Sequence, residues 1–98
     1  MKIILQKWGA EWCGPCVALA RKGTLDRFQK EHPEVRVEIH DDNETGSKAW
    51  EKKADALNIK NLPTLVWLAG GEELFRSGDV SAAGIEKQFL RAKKAVGE

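Results

Sequence analysis

An apolar run, Ile3-Ile4-Leu5-Gln6-Lys7-Trp8-Gly9, gives way within a few residues to a segment that reads as helix, and two cysteines stand at the changeover. Residues 3–9 have the length and apolar density of a mostly buried strand. Gly9-Ala10-Glu11-Trp12 reads as a turn, and Pro15 suits the first turn of a helix, where its missing N–H is not needed. Leu19, Leu25 and Phe28 carry the helix to about Glu31, and Pro33 closes it. Gly23 marks a kink or break inside that pattern. A strand feeding directly into a helix must bury both apolar faces against each other, which points to an α/β protein.

The rest of the chain supports that class. Val35 to Ile39 alternates with period two and predicts a second strand. His40 to Gly46 reads as a polar loop, and Ser47 as the N-cap of a helix to about Leu57. Trp50, Ala54 and Leu57 give that helix one apolar face. Leu62 to Leu68 predicts a third strand with Pro63 at its entrance. Gly70-Gly71 predicts a hairpin turn into an antiparallel strand from Glu72 to Ser77. Ser81 caps a last helix carrying Ile85 and Phe89. The order β-α-β-α-β-β-α predicts a single domain over residues 1–98, a four-stranded mixed sheet flanked by three helices.

Composition narrows the function classes. The net charge is +1 and charges of both signs are interleaved, so neither nucleic acid nor a membrane surface is expected as a partner. The apolar run at residues 3–5 is too short for a signal-peptide core or a membrane span, which predicts a cytoplasmic protein in a thiol-reducing compartment. Cys13 and Cys16 lie three apart, and closing so short a loop stabilises a fold little. At a helix start, however, the spacing suits redox chemistry. Unpaired N–H groups and the positive end of the helix dipole favour a thiolate on Cys13, and Cys16 follows nearly one turn later on the same side. A zinc site would need four ligands, and only His32 and His40 remain, both read as surface residues. No metal and no cofactor is expected.

The string Ala10-Glu11-Trp12-Cys13-Gly14-Pro15-Cys16 closely resembles the active-site segment of thioredoxins. Leu62-Pro63-Thr64 resembles the family's cis-proline segment, and the Gly70-Gly71 hairpin and Gly78 before the final helix extend the likeness. The resemblance implies a thiol–disulfide oxidoreductase that reduces protein disulfides as a monomer, with a thioredoxin reductase as electron donor. It implies that Cys13 is the exposed attacking cysteine and Cys16 the buried resolving one. Gly14 and Pro15 would tune the redox poise, and Trp12 would shape the substrate-facing surface. Pro63 would follow a cis peptide bond and lie against the cysteines, while Leu62 and Gly78 would contact the bound polypeptide.

The departures from the family are specific. Thioredoxins usually begin with a further strand and helix, so a trimmed version of the fold is expected here, with an exposed edge on the first strand. Lys7 stands where the family carries a buried aspartate, and Glu38 at or near its partner lysine. We therefore expect Lys7 and Glu38 to pair beneath the cysteines with reversed polarity, as an ion pair or proton relay. Gly9 replaces a tryptophan, and Trp8 a phenylalanine. The segment between Asp42 and Pro63 is longer than usual, so residues 43–53 could change which partners dock. The alternative reading is a thioredoxin-fold binding module whose redox activity is incidental.

Overall fold

The computed structural model describes residues 1–43 and 47–98; residues 44–46, within the expected polar loop, lie outside that description. The elements run β1 (Ile3–Ala10), α1 (Gly14–Lys22), α2 (Thr24–Glu31), β2 (Arg36–Asp42), α3 (Lys48–Ala56), β3 (Thr64–Ala69), β4 (Glu72–Ser77) and α4 (Ala82–Ala95). They form a four-stranded sheet in the order β2-β1-β3-β4. β1 and β2 run parallel, while β1/β3 and β3/β4 are antiparallel, giving the expected mixed sheet. Among the described residues no helix is long and apolar enough to cross a membrane.

Three expectations change. The single helix over residues 14–31 is two helices. Gly23 adopts a left-handed conformation (φ 65°), its N–H bonds to the Ala20 carbonyl, and α2 starts at the next residue. The strand after Pro33 continues through His40 and Asp41 to Asp42, where a loop was expected, because those residues pair in register with Trp8, Gly9 and Ala10. The exposed edge falls on β2 and not on β1, since β1 is paired on both sides.

Alternation along the strands sorts residues to two faces. On one face Leu5, Val35, Leu65 and Trp67 pack with Leu19 of α1, Leu25 and Phe28 of α2, and Ile85 and Phe89 of α4. Trp67 is fully buried, meets Phe28 edge-on and stacks on Phe89, and its indole N–H donates to Gln88 Oε1 at 2.8 Å. On the other face Trp8 and Val66 pack with Ala54, and Trp50 and Leu57 cover them from the α3 side. Ser47 and Ser81 cap α3 and α4, accepting from the Trp50 and Gly84 N–H groups at 3.5 and 3.0 Å. Gly70 and Gly71 both have positive φ, as a two-residue hairpin turn between right-twisted strands demands.

Candidate active site: a disulfide at a helix N-terminus

Cys13 and Cys16 are joined by a disulfide, with Cα atoms 5.3 Å apart. Cys13 is the N-cap residue of α1, with an extended backbone and no side-chain cap bond. Its carbonyl accepts from the Val17 N–H at 3.0 Å, and its N–H donates to the Ala10 carbonyl at 3.2 Å. The first turn of α1 holds no acidic residue, so nothing there offsets the positive end of the dipole. Cys13 keeps 9% exposure and Cys16 only 2%. Cys13 is therefore less open than the family likeness implied, though it is the more accessible of the two.

Trp12 is 53% exposed beside the pair, and its indole N–H donates to Asp42 Oδ2 at 3.1 Å. Asp42 is buried at the end of β2, and its carbonyl also accepts from the Glu11 N–H at 3.1 Å. The turn carrying the motif is thus tied to the neighbouring strand through one acid that the sequence reading passed over. The one sequence signal for it is faint: two consecutive acids, Asp41 and Asp42, in a polar stretch.

The Leu62–Pro63 peptide bond is cis. Leu62 packs against the cluster of Ala10, Cys13 and Cys16, and the Thr64 hydroxyl donates to the Asn61 carbonyl, holding this turn. A groove of about 460 Å³ runs from Trp12, Cys13 and Pro15 past Leu62 to Trp50 and Glu51 of α3. Gly14 and Pro15 are exposed at its mouth. Gly78 is exposed in the connection between β4 and α4 and is not among the residues lining this groove.

Lys7 does not pair with Glu38. The register sets Lys7 beside Ile39 and Gln6 beside Glu38, so the two charges project to opposite faces of the sheet. Lys7 is buried, and its ammonium donates to both carboxylate oxygens of Asp41, at 2.7 and 2.9 Å. Glu38 instead accepts from Gln6 at 3.1 Å, bonds His40 at 3.0 Å and pairs with Arg36 at 3.1 Å. The His40 hydrogen bond, with the Gln6 hydrogen bond and the nearby Arg36 charge, holds the Glu38 carboxyl below its ordinary value of 4.5 against the opposing pull of partial burial.

Both histidines are more enclosed than surface residues. His40 stacks on Trp8 at 4.6 Å, and His32 packs against Phe28 and Phe89 while bonding Glu86 at 2.8 Å. Among the described residues, the one group of three potential metal ligands is Glu31, His32 and Glu86, which includes neither cysteine.

A dithiol–disulfide couple at a helix N-terminus, bordered by an open groove, can exchange electron pairs with other disulfides. Comparison with known proteins agrees with that chemistry. The family model described as Thioredoxin matches residues 1–92. Thioredoxin-2 of Saccharomyces cerevisiae is 27% identical over 86 residues, covering 88% of this chain and 76% of that protein. Thioredoxin-1 of the same yeast is 28% identical over 91 residues, covering 93% and 81%. Among solved structures, Fasciola hepatica thioredoxin superposes with a TM-score of 0.77 at 27% identity, covering 94% of this chain and 82% of that one. The short form of spinach chloroplast thioredoxin f shares the fold, with a TM-score of 0.78 at 21% identity and coverage of 94% and 77%. The chain belongs to the thioredoxin family, and its Cys13–Cys16 pair is the redox-active disulfide of a thiol–disulfide oxidoreductase.

Proposed function

We propose that the reduced protein is a general dithiol reductant of protein disulfides, with Cys13 attacking and Cys16 resolving. The observation that carries this assignment is the asymmetry of the pair: Cys13 caps the helix at the groove, and Cys16 is buried behind it. The Cys13 thiolate attacks one sulfur of the client disulfide, forming a mixed disulfide and releasing one client thiolate. The Cys16 thiolate then attacks the Cys13 sulfur, re-forming the Cys13–Cys16 bond and releasing the second client thiolate. Two electrons pass to the client and the protein is left oxidised.

Trp12 and Leu62 flank the place where the client chain would lie, and the backbone groups just before the cis Pro63 would pair with it. Gly14 and Pro15 keep the mouth low and stiff. Gly78 lies beyond the groove lining and would meet only a longer client segment. We assign a monomer acting in the cytoplasm, recharged by a thioredoxin reductase, since a dithiol reductant needs a reducing compartment and an external electron source.

The test is reduction of the interchain disulfides of insulin by pre-reduced protein. Wild type cleaves them, Cys13→Ser is inactive, and Cys16→Ser accumulates mixed disulfides. An inactive wild type, or full activity in Cys13→Ser, would overturn the assignment. A partner that binds the Cys13→Ser, Cys16→Ser double variant as tightly as wild type would favour the binding-module reading.

A further inference from the structure

The ion pair of buried Lys7 and half-buried Asp41 lies against the inner cysteine. A Cβ placed on Gly9 would be 3.2 Å from Cys16 Sγ, 3.2 Å from Lys7 Nζ and 2.9 Å from Asp41 Oδ1. The ammonium and the sulfur are therefore no more than twice 3.2 Å apart, both bordering the space that a Gly9 side chain would fill. Lys7 is 3% exposed, and a lysine this buried is costly even when paired. An ion pair in such a place contributes little stability compared with an apolar pair of similar size, so its position beside a reactive sulfur is the feature to explain.

We propose that Lys7 is a positioning residue for the resolving step: its buried ammonium, held in place by Asp41, stabilises the thiolate of Cys16 that closes the Cys13–Cys16 disulfide. The proposal rests on Cys16 being the resolving cysteine. A cation within about 4–6 Å favours the charged form of a thiol, and the effect is stronger where water is scarce. Lys7 cannot take the Cys16 proton, because an ammonium has no lone pair. That proton leaves to solvent. A cavity of about 150 Å³ lined by Lys7, Asp41, Ile39, Leu19, Leu25 and Asp26 opens beside the ion pair. The charged groups lining this space are Lys7 from β1, Asp41 from β2 and Asp26 from α2, while Cys13 is the disulfide partner of Cys16; from β3 the neighbour of Lys7 is the apolar Leu65. Gly9 keeps the gap clear, since any side chain there would part the charges from the sulfur.

The test uses full-length protein in a Cys13→Ser background, where Cys16 is the one thiol and its thiolate is followed by ultraviolet absorbance against pH. Adding Lys7→Met should displace the titration upward by about one pH unit or more, roughly a tenfold loss of thiolate at fixed pH. Adding Asp41→Asn removes the opposing charge and should displace it downward. The opposite signs separate electrostatics from simple disruption, which would move both variants the same way. If Lys7→Met fails to fold, Lys7→Gln takes its place and should move the titration upward in the same way, while Asp41→Asn, at a side chain that is 25% exposed, supplies the opposite sign. Titrations unchanged in both variants, or moved in the same direction, overturn the proposal. The readout needs no reductase activity, so it stands or falls separately from the insulin assay.

Discussion

Replacing Gly9 by alanine should cost about 0.5–2 kcal/mol of stability. The new Cβ meets the Asp41 carboxylate at 2.9 Å and both Cys16 Sγ and Lys7 Nζ at 3.2 Å, closer than carbon packs against such atoms. Overfilling a packed site costs roughly 1–3 kcal/mol. Two of the three neighbours can retreat, the ammonium on its flexible stem and the carboxylate toward solvent, but doing so stretches their 2.7 and 2.9 Å bonds. The sulfur is held by α1 and by its disulfide. Gly9 does not have a positive φ, so alanine adopts its backbone and returns about 0.5–1 kcal/mol by stiffening the unfolded chain. The midpoints of the two, about 2 and about 0.75 kcal/mol, leave a net loss of a little over 1 kcal/mol, inside the range given, and for a domain of this size that range lowers Tm by roughly 2–16 °C. Urea unfolding of the oxidised protein measures it, with Gly14→Ala as control. Gly14 has open space around its Cβ position and an ordinary φ, so that variant should lose nothing. A Gly9→Ala protein as stable as wild type would refute the reasoning, because it would mean the gap above Cys16 opens freely.

Two further outcomes follow from the same structure. Trp67→Phe should lose about 2–4 kcal/mol, since it leaves a void in a fully buried position and takes the donor from Gln88 Oε1; adding Gln88→Leu should cost less than the sum of the two single changes, as measured by a double-mutant cycle in urea. The Glu38 carboxyl is held below 4.5 by His40, Gln6 and Arg36, so its contribution to stability is present above that value and is lost as pH falls through the lower folded-state value. Glu38→Gln should accordingly be less stable than wild type near neutral pH, with the gap closing on acidification; a gap that widens in acid would contradict the assigned sign.

Features encoded by neighbours in the chain were legible beforehand. The helix start at Pro15, the serine caps at positions 47 and 81, the glycine pair of the hairpin and the cysteine spacing each depend on a few consecutive residues. Gly23 predicts a kink or break, and its left-handed backbone makes it a full break, with α2 restarting at Thr24. The continuation of β2 was hidden because His40, Asp41 and Asp42 are polar. They stay in the strand through pairing with β1 and through partners such as Trp8, Lys7 and Trp12.

The α/β class, the redox motif and its place at a strand-to-helix junction can be read from periodicity and spacing, because each is set by residues close together in the chain. The tertiary structure alone decided the partner of Lys7. Alternation shows that residues 38, 39, 40 and 41 take turns on the two faces of β2, but not which of them stands beside residue 7. That depends on the register between two parallel strands joined through α1 and α2, and a shift of one residue would have set Glu38 where Ile39 stands. The same register brings Asp41 level with Gly9, and so places an ion pair, a gap and a cysteine sulfur at one point under the motif.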